Sequence, residues 1–272
     1  MRKQTIIDAE STAASLDLRE FLQYRDLFLT LAHRDLRVRY AQSFLGVLWA
    51  FMQPAITLCI FTVIFSQALS VETSGVPYPL YASAGLIAWT FFAYVMTNAG
   101  GSIIGAQSMI KKIYFPRLII PLSKAIVGLV DFFVAFLIYV GLALHYGHAF
   151  TSTLFWLPLF IAGAIVTGLA VGIWLSALTI RYRDFQYVIP FMVQIGMWLT
   201  PVAYPARMLP RKFLSVYFLN PMVGVLDGFR WCLVDGPPLD GYSYVSFGVM
   251  ALLFVTSIYY FKRVEKQMAD LV

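Results

Sequence analysis

Long apolar runs and short charged connections alternate along this 272-residue chain. The apolar runs cover about 44–68, 80–105, 119–144, 154–179, 188–204 and 243–261. A helix needs roughly 20 apolar residues to cross about 30 Å of hydrocarbon, so each run reads as a membrane span. Ahead of the first span, residues 33–54 (HRDLRVRYAQSFLGVLWAFMQP) pass from an arginine-rich amphipathic stretch into apolar sequence, with no turn signal between Tyr40 and Leu45. Arg34, Arg37 and Arg39 interleave with Leu36, Val38 and Tyr40. This predicts an interface helix over 21–43 attached directly to the first span, so that moving one moves the other. Residues 1–20 read as a polar tail without the apolar core of a signal peptide, so no cleavage is expected. Residues 262–272 form a second polar tail. The expected fold class is all-α: a polytopic membrane protein with six transmembrane helices in the 44–261 region.

The connection 205–242 departs from the simple alternation. Its apolar stretches 213–219 and 222–226 are interrupted by Pro210, Pro221 and the Gly-Pro-Pro of 236–238, and are too short to span. They read as short re-entrant helices over about 206–240, which are tolerated at membrane depth only where protein or water satisfies their backbone. An ordinary loop with a few buried apolar residues is the plainer reading, but the aromatic and apolar density is high for one. In the fourth run Ala164, Gly168, Gly172 and Ser176 recur every four residues and make a face for close helix approach. Gly101 and Gly105 repeat the spacing at the end of the second. Such faces can meet within one chain or across a dimer. Pro54 removes a backbone donor inside the first span and is expected to bend it, leaving the Ala50 carbonyl in need of a partner.

Composition agrees with the pattern: 60% of residues are hydrophobic and 12% charged, with a mean hydropathy of +0.75. Soluble domains carry about 25% charged residues. The net charge of +6 does not point to nucleic acid, because Lys and Arg gather beside the spans. Residues 1–43 hold seven of them, 106–124 four, 180–187 two and the tail from Lys262 three; four lie in 205–242, and loops 69–79 and 145–153 hold none. The positive-inside bias therefore places both termini in the cytoplasm. Cys59 in a span and Cys232 in the long connection form neither an expected disulfide nor a zinc site.

Little in the chain suggests catalysis. It has no Gly-x-x-x-x-Gly-Lys-Ser/Thr phosphate loop and no dinucleotide fingerprint, so any ATP hydrolysis through that machinery must come from another subunit. His145 and His148 lack neighbouring ligands and read as interfacial polar residues, as does His33. No Ser, His and acid set occurs at readable spacing. Asp131 stands out within GLVDFFVAF, since a carboxyl in mid-span costs several kcal/mol unless it faces protein or water. It reads either as a path-lining or proton-relay group or as a structural hydrogen bond to Gln53, Asn98 or Gln194. The structural role is favoured because one carboxyl makes a poor relay. Trp49, Trp89, Phe91, Phe92, Tyr94, Trp198 and Tyr204 read singly as interfacial anchors. Together they would suit a glycan path, because pyranose C–H faces stack on aromatic rings. The connections pair charge with aromatics: Lys111, Lys112, Tyr114, Phe115 and Arg117 in one, Arg181, Tyr182, Arg183, Asp184 and Phe185 in another. That mixture suits docking of a soluble partner better than topology alone requires.

These residues resemble a known family, the membrane subunits of type-2 ABC exporters, and in particular its polysaccharide permeases for O-antigen, capsule or teichoic acid. The resemblance rests on RDLRVRY (34–40), LGVLWAFMQP (45–54), IYFPRLIIPLS (113–123), RYRDF (181–185), WLTPVAYP (198–205) and LNPMVGVLDGFR (219–230), in order from about residue 25 onward. It implies a homodimer of permeases with two copies of an ABC ATPase subunit that holds ATP and Mg; no cofactor is expected in this chain. The coupling residues would be Arg34, Asp35, Arg37, Arg39, Lys111, Lys112, Tyr114, Phe115, Arg117, Arg181, Tyr182, Arg183 and Asp184. Trp49, Gln53, Trp89, Phe92, Tyr94, Asp131, Trp198 and Tyr204 would belong to the translocation path. The cargo would be a lipid-linked glycan crossing a bacterial inner membrane. A drug or lipid exporter of the same fold is the nearest alternative. A polytopic lipid-sugar enzyme is the rival from another class, and would need clustered acidic or His residues that this sequence lacks.

Overall fold

The computed structural model describes residues 22–40, 46–68, 73, 75–208 and 210–265. All regular structure among the described residues is helical. Helix α1 (Arg25–Tyr40) is followed by α2 (Gly46–Phe61), which continues as a π-helix over Thr62–Ala68. After α3 (Tyr78–Gly100) come two single turns, α4 (Ser102–Gly105) and α5 (Gln107–Ile110), and then α6 (Ile119–His145). A 3₁₀ turn at Ser152–Trp156 leads into α7 (Leu157–Arg181), followed by α8 (Phe185–Leu199). The chain ends its described course with α9 (Arg211–Tyr217), α10 (Pro221–Leu233) and α11 (Gly241–Glu265). Helix α1 falls within the stretch expected as an interface helix, while the junction at 41–45, the tail at 1–20 and residues 266–272 of the expected 262–272 tail lie outside the described residues; 262–265 continue α11.

Among the described residues, five helices are long and apolar enough to cross a membrane: Leu48–Ser66, Tyr78–Gly100, Ile119–His145, Ser152–Arg181 and Gly241–Glu265. The run expected as a fifth span at 188–204 carries the 15-residue apolar helix α8, which ends five residues earlier than expected. It stops at Leu199 because Pro201 disfavours helical backbone in the residue before it, and Thr200 is extended at φ −112°, ψ 141°. The second span stops at Gly100 rather than 105, where the pair Gly100–Gly101 weakens the helix. Pro54 does not end α2, and the irregularity of this span falls later, at the π-helical Thr62–Ala68.

Helix α3 is the axis of the bundle, buried along most of its length and packed against α6, α7 and α10. The small-residue stripe of α7 faces it within one chain. A Cβ on Gly172 would lie 2.6 Å from the Ala99 Cβ, and one on Gly168 would lie 2.9 Å from the Val95 Cβ. Across the other side, a Cβ on Gly128 of α6 would reach 2.8 Å from the Tyr94 ring. Gly105 meets nothing within 4 Å and Gly101 only the Thr97 carbonyl of its own helix at 3.8 Å, so among the described residues the second small-residue pair packs against no neighbouring helix.

The connection between α8 and α11 is helical and inward-turned. Asn220 caps α10 by accepting from the Met222 N–H at 3.0 Å, and Pro221 occupies the first turn, where its missing donor costs nothing. Nearly every side chain of α10 is buried, including Cys232, so this cysteine lies in a packed helix and not in a loop. Burial within protein is the condition under which a short helix can enter a membrane domain. Tyr139 and His148 both bond the Leu233 carbonyl, the latter through Nε2 at 3.0 Å. Tyr78 donates to the Ala203 carbonyl at 2.9 Å, and Ser246 to that of Phe218 at 2.7 Å. These bonds gather the start of α3, the end of α6 and the start of α11 at one end of the bundle.

Candidate functional site

The opposite end gathers the charged connections. Thr179 of α7 donates to the Gly100 carbonyl at 3.4 Å, and Arg117 is clasped by the end of α11. Its backbone N–H reaches a Glu265 carboxylate oxygen at 2.9 Å and its Nη1 reaches the Glu265 carbonyl at 2.8 Å. Phe115 is buried beside it. Arg117 and Phe115 therefore fix the 111–117 turn from within, while Lys111, Lys112 and Tyr114 stand exposed. In the second turn Arg181, Tyr182, Arg183 and Asp184 are all exposed, with the Arg181 guanidinium 5.5 Å from the Tyr182 ring centre. Two short charged and aromatic turns thus project from the same end, each anchored by a buried neighbour.

Helix α1 is tied to α6 by two ion pairs of opposite sense. Asp35 and Arg39 are four apart on one face of α1, and Lys124 and Asp131 are two turns apart on one face of α6. Lys124 bonds one oxygen of Asp35, and Arg34 holds the other at 2.8 Å through Nη2 and 3.0 Å through Nε. Arg39 Nη2 reaches Asp131 at 2.6 Å, and the Tyr40 hydroxyl donates to the second Asp131 oxygen. The Arg39 guanidinium also lies 4.6 Å from the centre of the Tyr94 ring, on α3. Because α1 presents acid then base and α6 presents base then acid, sliding α1 by a turn in either direction brings like charges together. The latch has one register.

The environment sets the protonation of these groups. Burial alone would raise Asp35, but hydrogen bonds and charge from Lys124 and Arg34 outweigh it and hold the carboxyl below the usual carboxylate range. Its contribution to folding is therefore present at neutral pH and fades as acid titrates it. Burial, then the bond to Asp131, pushes the Tyr40 phenol up to about 12, so it remains a neutral donor. Asp131 meets none of Gln53, Asn98 or Gln194: its partners are Arg39 and Tyr40, and Asn98 instead donates to the Tyr94 carbonyl at 2.8 Å. Sequence reasoning also gave Lys124 no role beyond topology. The signal was its seven-residue spacing from Asp131, which puts two opposite charges on one apolar face.

The aromatic residues expected along a path divide into two groups. Trp89 and Phe92 are buried, with ring centres 5.2 Å apart, and Trp89 covers Gly196 so closely that a Cβ there would be 2.8 Å away. Tyr94 lies half-buried beneath Arg39. Trp49 and Gln53 on α2 and Trp198 on α8 are exposed, on two apolar helices that bury few side chains. Tyr204 bonds the Trp198 carbonyl at 2.9 Å and the Tyr217 hydroxyl at 3.0 Å, tying the end of α8 to α9.

At the far end stand Asp227 and Arg230 of α10, two charged residues within the otherwise mostly apolar segment LNPMVGVLDGFR. Arg230 is 4% exposed, donates through Nη2 to the Val202 carbonyl at 2.9 Å and to that of Pro201, and stacks 4.1 Å from the Tyr81 ring centre. Burial pushes the Asp227 carboxyl up to about 6, with Arg230 opposing the rise and Asp240 adding to it. A raised value means the folded state holds this proton more tightly, so the stability it contributes is present in acid and lost as pH rises through about 6. Two units correspond to about 3 kcal/mol at most. Asp227→Asn is therefore expected to raise the melting temperature of the detergent-solubilised protein more at pH 8 than at pH 5. An equal change at both would remove the burial argument.

Comparison with known proteins agrees with this geometry. The chain is 28% identical over 249 residues to the O-antigen export system permease protein RfbA of Klebsiella pneumoniae, covering 90% of this chain and 95% of that protein. It is 27% identical over 255 residues to the protein of the same name from Myxococcus xanthus, covering 91% and 96%. The polysialic acid transport protein KpsM of Escherichia coli is 22% identical over 241 residues, covering 87% and 93%. Residues 26–234, from the interface helix through α10, match the family described as ABC-2 type transporter, and the chain belongs to that family.

Proposed function

We propose that this chain is the membrane-spanning permease subunit of an ATP-driven exporter. It moves a polysaccharide, O-antigen-like and carried on a polyprenyl diphosphate, from the cytoplasm across a bacterial inner membrane. The observation that carries the coupling half of this reading is the shared placement of the two charged turns at one end of the bundle, each held by a buried anchor. In this arrangement Lys111, Lys112, Tyr114, Arg181, Tyr182, Arg183 and Asp184 form knobs for clefts on an ABC ATPase, which binds ATP and Mg. Helix α1, with Arg34 and Arg37 exposed, lies on the same cytoplasmic side and passes movement to α6 through the latch. Both termini are cytoplasmic, and two permeases work with two ATPases. The glycan then follows the exposed faces of α2 and α8, where Trp49, Gln53 and Trp198 stand. The names of the relatives support the cargo class, and the two kinds named among them leave O-antigen and capsule-like polymers as its variants.

The test is assembly and transport together. Co-expressed with an ABC ATPase from the same cell, the permease is expected to co-purify and to export lipid-linked glycan in proteoliposomes when ATP is supplied. Lys111→Glu combined with Arg183→Glu is expected to lower ATPase association at least about tenfold, the scale of losing two interfacial charge contacts, with membrane insertion unchanged. Unaltered association would exclude the turns as the docking elements.

A further inference from the structure

A cavity of about 310 Å³ opens at the end of the bundle away from the charged turns, between the start of α3, α9, α10 and the 236–238 loop. Its size lies at the lower edge of ligand pockets, which run about 300–1,000 Å³, and suits a sugar ring better than a polymer. The wall is unusual for one formed only by packing. Asp227, half-buried, has no hydrogen bond or ion-pair partner among the described residues. Arg230, 4% exposed, leaves Nε and Nη1 without partners after Nη2 has bonded the two carbonyls of Pro201 and Val202. Native proteins rarely leave buried polar groups unpaired, so the two free Arg230 donors, with the half-buried Asp227 acceptor on the same wall, point to a partner that can both accept and donate.

The rest of the lining narrows what that partner is. Arg207, Asp235 and Asp240 also face the cavity, giving three carboxylates to two guanidinium groups. An excess of carboxylates disfavours a phosphate or other polyanion. Asp235 and Asp240 are already engaged, with Thr151 at 2.8 Å and with the N–H of Tyr242 at 3.1 Å, which holds their positions. Tyr81 and the prolines Pro205, Pro237 and Pro238 add apolar wall. Carboxylates that accept from hydroxyls, a guanidinium that donates to them and flat apolar surface for C–H faces are together the complement of a neutral pyranose.

We propose that this cavity binds one neutral pyranose unit, with Asp227 accepting from and Arg230 donating to its hydroxyls. The inference rests on the glycan-export reading, under which the cavity lies on the exit side and holds one sugar of the emerging chain. It is distinct from the exposed aromatic faces of α2 and α8.

The test uses the full-length permease in detergent with methyl glycosides of glucose, galactose, mannose, rhamnose and N-acetylglucosamine, observed by saturation-transfer difference NMR. Transfer is expected to at least one glycoside. Asp227→Asn, which preserves shape, and Arg207→Gln, on the exposed rim, are each expected to weaken it about tenfold, as loss of a charge-assisted bond does. No transfer to any glycoside, transfer unchanged in both variants, or binding of inorganic phosphate in place of sugar would each overturn the proposal. Glycan export by the assembled wild-type transporter is measured in parallel. Export without saturation transfer removes the pocket and leaves the exporter standing; transfer that depends on Asp227 without export removes the exporter and leaves the sugar site.

Discussion

Reversing one charge of the Arg39–Asp131 pair, as Arg39→Asp or Asp131→Arg, is expected to lower coupled export about tenfold, and reversing both together to restore a large part of it. Either single change sets like charges where the native pair meets at 2.6 Å. Two unit charges 4 Å apart interact by about 4 kcal/mol at an effective dielectric of 20. The Arg39 side chain is 43% exposed, so solvent screening lowers the net effect to about 1–2 kcal/mol. That still moves a two-state coupling equilibrium about tenfold. The double reversal recreates an ion pair in the same register, although Tyr40 loses its carboxylate acceptor. The measurement is ATP-dependent glycan export beside ATP hydrolysis in the same proteoliposomes. Hydrolysis is expected to continue in the single variants while export falls. A double variant no better than either single one would show that the pair does not transmit movement.

The second large effect concerns the α3–α7 seam. Gly172→Val places a branched side chain where even a Cβ would stand 2.6 Å from Ala99 and 3.0 Å from the Met96 carbonyl. Backbone on one side and a Cβ on the other cannot swing away, so the helices must part. Overpacking a tight interior costs about 1–3 kcal/mol, and a seam opened along its length reaches the upper end of that range. Folded, detergent-stable protein is expected to fall severalfold, measured by size-exclusion chromatography of membrane extracts. Gly105→Val, with open space at the same site, is expected to leave the yield unchanged. Equal losses for both would trace the effect to helix insertion and not to the seam.

Much of this architecture was legible in the chain because a bilayer leaves few solutions. Apolar length placed runs that overlap α3, α6, α7 and α11, and the stripe of Ala164, Gly168, Gly172 and Ser176 marked the seam. Periodicity could not say which helix would fill that seam, since a small-residue face fits any close neighbour. Nor could it shorten the fifth run, because Trp198, Leu199, Val202 and Ala203 are apolar on both sides of the break that Pro201 imposes. Asp131 was recognised as needing a partner, but the local candidates were polar residues of other spans. The true partner sits 92 residues earlier, on a helix read as pointing at another protein. Pairing of that kind is set by tertiary packing, and one sequence records it only as two charges that each look isolated. Asp227 and Arg230 were hidden in the same way, inside a motif whose apolar majority reads as packing.

The unequal burial of the helices has a mechanical consequence. Helix α3 and its glycine seam form a frame without slack, to which α10 and α11 are fitted, whereas α2 and α8 bury few side chains within the chain. Displacing α2 or α8 breaks few contacts, while displacing α3 breaks a packed seam. Under the proposed coupling, force arriving through α1 would be divided between a rigid post, α6, and a loose panel, α2. Such a chain would work like a door whose hinge side is bolted to the wall, so that opening it would leave the wall intact.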